Sequence, residues 1–536
     1  MKKRILSIAA MVAAMLFAAS CSKDDDTQNA PAPAPSTTET TETTEQKSET
    51  IAVPFSITVN QGNNSLTKAK LVEDGEKLVQ KFVKGDELVI TGEGLSTAEG
   101  EESVLKLDEN DIDKESATFS GILYFVSTGE VTPSITLTAT LRNISDENWN
   151  KGVKQLAPVV EPSSDEVNAE YMFTHYGYLK AEFKYKEGVN PTITLRQYTA
   201  LLEFDLDFTS AKVNVRTIDN SDPNNVTIVN APITLGKGVT YVAVPDGAVV
   251  TSQMIDNGKP WTIDLDKEYE DANSATVWYT ITRTTPDNCI PALFSVSDKK
   301  QVFFSKGNLQ YNPTATDKWR FAPTQYSICH TTGNNVGNDY SEWKDGDNYK
   351  WTDLFGWGMW LKGESPLKTE KVNSKYLPSI TADLATFTTE SAIGSEWETL
   401  TGGAGEWNYL FNSRGEGKYG EGTVDNVHGV ILLPDEWTYP ADITQSTFTP
   451  GESDWANTYT AADWAKMEAN GAVFLPAAGY RIGTDVYAVG VSGHYWSSSA
   501  SSYGAYRLVF GSGYVTPGGN DGRFLGRSVR LVRPLK

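Results

Sequence analysis

TALLEFDLDF, Thr199 to Phe208, alternates apolar and acidic side chains. Leu202, Phe204 and Leu206 fall on one face, and Glu203, Asp205 and Asp207 on the other. Successive side chains of a strand point to opposite sides, so this period of two predicts a half-buried β-strand with one wet face. Working outward, the same texture recurs on both sides. AVPFSITVN (52–60), DELVITG (86–92), FSGILYFVS (119–127) and PSITLTATL (133–141) precede it, and AKVNVRTI (211–218), GVTYVAVP (238–245) and ATVWYTIT (275–282) follow. Each run is short, rich in Val, Ile, Thr and aromatic residues, and bounded by Gly, Asn, Asp or Pro. Two successive all-β sandwich domains are predicted, over residues 51–165 and 166–287.

At 536 residues the chain is long enough for two to four domains, and its 14 Trp, 24 Tyr and 20 Phe suffice for real cores. A formal charge of −23 argues against nucleic acid as a partner, whose phosphates demand a basic footprint, and against docking on anionic lipid through surface charge. Cys21, Cys289 and Cys329 are too few for a disulfide scaffold, and the pairing of the last two is left open. With no C-x-x-C and only His175, His330, His428 and His494, no zinc site is expected. Asp339, Glu342, Asp345 and Asp347 cluster near Asn348 and read as a Ca²⁺ loop or, more simply, a solvated acidic loop. No metal and no cofactor is assigned.

Composition changes after residue 290. LFSVSDKKQVFFSKGNLQYNP (293–313) reads as strands joined by turns, and the Trp-rich runs that follow read as core around irregular loops rather than a sugar-stacking platform. Trp407, Leu410 and Phe411 have helical spacing. Thr460 stands three residues before Asp463 as a helix entry, and Asn470-Gly471 supplies the exit, with Trp464 and Met467 facing inward. AVFLPAAGYR (472–481) reads as a buried strand, and YRLVFGSGYVTP (506–517) as a hairpin turning at Gly511, Ser512 and Gly513. Residues 290–536 form an α+β domain in this reading.

The front of the chain, MKKRILSIAAMVAAMLFAASC, is a basic start, an apolar run and small residues before Cys21. It resembles the bacterial lipoprotein signal, with Ala18 where that family usually has Leu. The resemblance implies a signal peptide over 1–20 and lipidation of Cys21. The acidic SKDDD behind it is similar to the export tag of surface lipoproteins in some Gram-negative bacteria, which implies anchoring in the outer membrane with the protein facing out. Residues 21–50, rich in Pro, Thr and Glu, read as a disordered tether.

Two sandwiches behind such a signal resemble the fimbrillin-like family of bacterial pilus and surface proteins. A spacer role for both domains is kept beside that. GAVFLPAAGYR, YWSSS, AYRLVF and RFLGRSVRLVR together resemble a C-terminal C-type-lectin-like domain of bacterial surface lipoproteins. They also resemble variable proteins diversified by retroelements. From Ser497 to Arg533 the chain has no Glu, Lys, Gln, Met or Trp. In those systems adenines mutate within codons ending in a pyrimidine, which do not specify those five residues. The resemblance implies a frame, including Tyr495, Trp496, Leu508, Phe510, Val529 and Leu531, and an interleaved set of ligand-binding positions. That set is Ala500, Ser501, Ser502, Tyr503, Gly504, Arg507, Val509, Gly511, Gly513, Tyr514, Thr516, Gly518, Gly519, Asn520, Asp521, Gly522, Phe524, Leu525 and Arg527. Its Tyr, Ser, Gly, Asn and Arg content also suits a paratope. An ordinary loop region has a similar alphabet.

No catalytic residue is assigned. No Cys follows Cys329, and no G-x-S-x-G, P-loop or H-E-x-x-H occurs. The expectation is a cell-surface lipoprotein adhesin, not an enzyme, binding a host or microbial surface protein or glycan. A minor or anchoring pilus subunit in contact with other subunits is the alternative, and a carbohydrate-processing enzyme ranks third.

Overall fold

The computed structural model describes residues 50–536 apart from 62–70, 75–76, 128–134, 144–156, 178, 210, 220–225, 264–277, 338–341, 358–392, 394–395, 444–454 and 503. The predicted signal peptide over 1–20, Cys21, the predicted tether up to residue 49 and Tyr503 lie outside the described residues.

Seven strands pair into a closed ring. Thr50–Gln61 is followed around it by Thr192–Gln197, Leu179–Tyr185, Ile135–Asn143, Asp86–Gly92, Val104–Leu107 and Ser116–Val126, which returns to the first. Thr50–Gln61 and Ser116–Val126 run antiparallel from the pair Thr50–Val126 to Asn60–Ser116. Alternation aims Ile57, Val59, Leu88, Ile90, Leu105, Phe119, Leu137 and Leu141 into one core, where the rings of Phe82 and Phe119 meet edge-on at 5.3 Å.

Two points differ from the expectation. A sandwich of separate sheets was expected here, whereas pairing closes on itself and leaves the ring without an unpaired edge strand. The sheets also do not divide at residue 165. Leu179–Tyr185 and Thr192–Gln197 complete the first ring, while Val159–Pro162 pairs with Gly238–Pro245 in the next sheet. Pairing over long sequence separations leaves no local mark in a run of residues.

The second body is a pair of four-stranded sheets. One has the order Trp278–Arg283, Thr199–Leu206, Gly238–Pro245 and Val159–Pro162, and the other Thr227–Leu235, Ala211–Asp219, Val249–Thr251 and Trp261–Thr262. Leu202, Phe204 and Leu206 are buried between the sheets, and Asp207 is exposed on the opposite side. The α-helix Ala169–Tyr176, which has no periodic signal of its own, packs Met172 and Tyr176 against Leu201, Tyr241 and Ala243.

Residues 290–536 carry an α+β arrangement. Phe294–Ser297, Lys300–Phe304, Leu531–Pro534 and Glu398–Thr399 make one sheet, so the beginning and end of this region pair with each other. Asn457–Tyr459, Tyr419–Val424, Val427–Leu432 and Val473–Pro476 make another. Helix Glu406–Asn412 buries Trp407, Leu410 and Phe411, and its start is locked reciprocally. Thr401 Oγ1 accepts the Glu406 N–H at 2.9 Å, and Glu406 Oε2 accepts the Thr401 N–H at 2.9 Å. Helix Ala461–Ala469 starts at Thr460, whose hydroxyl accepts the Asp463 N–H at 3.1 Å, and buries Trp464 and Met467.

This region shares a core with the second body. Leu293, Phe303 and Leu535 pack into the cluster that holds Leu202, Phe204 and Val213, and Phe208 meets Phe303 edge-on at 5.1 Å. Residues 49–536 form one unit.

Candidate functional site

The predicted ligand-binding positions among the described residues fall on a three-stranded sheet, Ser492–Ala500, Ala505–Gly511 and Tyr514–Asp521, on its connections, and on the segment after it. The hairpin closes by pairing Gly511 with Tyr514, leaving Ser512 and Gly513 as a two-residue turn. Gly513 has φ +79°, which glycine adopts without steric cost. Its N–H donates to both carboxylate oxygens of Glu421, at 2.8 and 3.0 Å. Behind the hairpin, Leu508 and Phe510 are fully buried. The Phe510 ring lies so close to Gly493 that a Cβ there would stand 2.1 Å from it.

The positions divide by exposure. Ser502, Gly513, Tyr514, Thr516, Gly518 and Asn520 are exposed, with Tyr514 retaining 47% of its surface. Ala500, Ser501, Arg507, Gly519, Asp521, Gly522 and Phe524 are half-buried. Gly504, Val509, Gly511, Leu525 and Arg527 are buried, contrary to the outward orientation expected of them. Each has a local cause. A Cβ on Gly504 would meet the Asp521 carbonyl at 2.0 Å, and one on Gly511 would meet the Tyr514 ring at 2.6 Å. Val509 lies on the central strand between His494 and Thr516. Leu525 joins Trp496, Val529 and Leu531 in a core.

Arg527, 2% exposed, is an internal brace. Its guanidinium carbon lies 4.6 Å from the centre of the Tyr480 ring and 6.0 Å from that of Trp496, and its Nη2 donates to Asp521 Oδ2. Burial lowers its pKa to about 10, and Asp521 opposes that shift. Arg507 Nε donates to the same Asp521 oxygen at 2.7 Å. Burial, with the cations of Arg527 and Arg507 adding, pushes the His494 imidazole down to about 2, so it is neutral. Elsewhere on the face, Asn520 Nδ2 donates to Ser501 Oγ at 2.7 Å, and Arg523 Nε donates to the Gly504 carbonyl at 2.7 Å.

Sequence reasoning did not single out Glu421, Tyr480 or His494 in this assembly. Glu421 is 92 residues from the turn it holds, and nothing in a lone Glu announces that role. Tyr480 lies in the run that carries the family resemblance, so its place near the face was legible, although its stacking on Arg527 was not.

Cys289 and Cys329 are free thiols. Asp345 and Asn348 pair in an exposed two-residue-strand hairpin, while Asp339 lies outside the described residues. Among the described residues no group of three or more His, Cys, Asp and Glu side chains is placed to hold a metal ion, and no helix is long and apolar enough to cross a membrane.

No family model matches the chain, and no curated protein matches it. Among solved structures it is similar to a fimbrial assembly protein from Parabacteroides distasonis. That match has 13% identity and a TM-score of 0.20, and it covers 48% of this chain and 97% of the other. It is also similar to the major pilin protein T-13 of Streptococcus pyogenes, at 8% identity and a TM-score of 0.12, over 51% of this chain and 91% of the other. Similarity at this level carries no argument about what this chain binds or builds.

Proposed function

We propose that the chain is a cell-surface adhesin. It presents the hairpin 505–521 and its flanks to a protein or glycan on another surface. One observation supports this above the rest: exposed Tyr, Thr, Asn, Ser and Gly sit on a hairpin whose tip is clamped by Glu421 and whose inner face is a packed core. Small and aromatic groups held on a rigid support lose little freedom on binding. The binding set is reduced to Ser502, Gly513, Tyr514, Thr516, Gly518 and Asn520, with Arg507, Asp521 and Phe524 at its margin. The reading includes lipidation at Cys21, an outward-facing outer-membrane anchor, fimbrillin-like domains before the head, and a C-type-lectin-like head. Many copies on one surface would offset weak single contacts. The test is a glycan and protein array probed with the full chain and with alanine at Tyr514, Thr516 and Asn520. A ligand retained by the triple variant places the site elsewhere.

Diversification by a retroelement belongs to the same proposal and has its own test. The neighbouring DNA should hold a reverse-transcriptase gene and an imperfect copy of the final coding segment. If both are missing, that part falls and the adhesin remains.

A pilus subunit is the second reading, favoured by a different feature. Thr227–Leu235 is an edge strand with Ile228 50% exposed, beside Val226 at 50% and its paired Ile218 at 40%. Edge strands and exposed apolar patches are natural contacts for another subunit. Ile228→Lys is expected to abolish assembly, measured as loss of high-mass species, and to leave array binding intact.

A further inference from the structure

Two guanidinium groups, one at the proposed binding face and one buried behind it, share a single carboxylate oxygen, Oδ2 of Asp521. The cluster therefore holds two positive charges against one negative. A guanidinium carries five N–H donors and no acceptor. Arg507 Nη1 and Arg527 Nε and Nη1 are shielded from solvent and have no hydrogen-bond partner in the chain. Native proteins rarely leave such donors unpaired. The Tyr480 ring stabilises the charge of Arg527 but gives its N–H groups no in-plane acceptor. The cluster reaches the surface, since the Arg507 side chain keeps 15% of its accessibility and that of Asp521 keeps 24%. A Cβ on Gly519 would stand 3.0 Å from Arg507 Nη1, so glycine there keeps a side chain off that nitrogen.

We infer that Arg507, backed by Arg527, receives an oxyanion, and that the ligand is a saccharide carrying a carboxylate or a sulfate. This rests on the binding face proposed above and names its ligand class. An oxyanion matches the planar fork of a guanidinium, and charge-assisted hydrogen bonds of this kind are the strong ones. Asp521 spends only Oδ2 on the arginines, so Oδ1 is left to accept a sugar hydroxyl. Exposed Thr516 adds a further hydrogen-bonding group, and the Tyr514 ring offers a stacking surface. An acidic peptide would seat an apolar anchor in a pocket. Apart from the Tyr514 ring, the exposed part of this face presents hydroxyl groups and glycine backbone instead.

The test probes the full chain on an array of neutral, carboxylated and sulfated glycans together with acidic peptides. Hits are expected among the anionic glycans, and comparing the carboxylated and sulfated arms identifies the anion. Arg507→Gln is expected to weaken those hits at least tenfold. Gly519→Ala keeps every charge but crowds Arg507 Nη1, and should weaken them severalfold, so it decides the matter if Arg507→Gln does not fold. Thermal melting of each variant reports folding. Hits confined to neutral glycans or acidic peptides, or anionic hits indifferent to both variants, or no glycan hits at all, would overturn the inference. If neutral hits disappear with Tyr514→Ala and Thr516→Ala but survive Arg507→Gln, the binding face stands and the anion assignment alone falls.

Discussion

Glu421 shows how much one side chain can decide. It is buried, and its carboxylate takes the N–H of Gly513 at the tip of the hairpin. Glu421→Ala hands that exposed N–H to water, a local loss of about 0.5–1.5 kcal/mol. The expected outcome is faster amide exchange at Gly513 and Tyr514 with the strands behind them unchanged. A second buried acid acts through pH. Asp353 is 1% exposed, its Oδ1 has no hydrogen bond, and burial pushes its carboxyl up to about 7. An unfolded Asp ionises near pH 4 (roughly), while this one keeps its proton until about pH 7. Between those values the unfolded chain binds fewer protons. The contribution of Asp353 is therefore whole below about pH 4, falls as pH rises through the window, and stays low above it. Asp353→Asn is expected to raise the melting temperature over the parent near pH 8, with the gain shrinking toward pH 4. The imidazoles of His330 and His494 act oppositely. Burial, aided in each case by arginine charge, lowers them to about 3 and about 2, so stability is lost as pH falls below about 6.5. None of these environments can be read from residue type, because each depends on what is packed around the group.

Secondary-structure elements were more legible. The strand 199–206 and the helix 461–469 follow from patterns inside a dozen residues, and their buried faces are those that spacing indicates. Gly471, the predicted helix exit, has φ +95°, and a Cβ there would lie 2.2 Å from that of Ala292. The first property is visible in the sequence as Asn-Gly after a helix. The second is not, since it reflects close approach of the 290s segment. Gly471→Ala is expected to cost at least about 2 kcal/mol, more than a left-handed glycine alone would explain, as measured by denaturant unfolding. The strands at 179–185 and 192–197 show the limit at this scale. Their placement is a matter of partners more than 100 residues away in the case of Thr58–Gln61, and alternation carries no address.

Across the whole molecule, two couplings replace the string of separate beads that composition suggested. The first ring and the second body exchange strands across residues 159–197, and the second body and the C-terminal region share a core around Phe208, Phe303 and Leu535. A fragment of residues 50–165 lacks the two strands that close the ring. It is expected to show no cooperative melting, whereas residues 50–197 should recover strand signal by circular dichroism. Phe303→Ala removes a ring from the shared core, at about 3–5 kcal/mol. It should lower the melting of the second body and the C-terminal region together, followed by amide exchange in 199–206 and 531–534. Two separate shifts would mean that the core is not energetically shared. Strand content was thus available from pattern, but the seams were not.

The order in which the ring is assembled has a consequence for biosynthesis. A chain emerging from its N-terminal end must hold five of the seven staves ready until Gln197 appears, with the Thr58–Gln61 rim lacking its parallel neighbour in the meantime. That waiting period exposes sticky backbone, and long-range pairing of this kind is slow. A chaperone that holds unpaired strands would act on this interval, before any of residues 290–536 has been made.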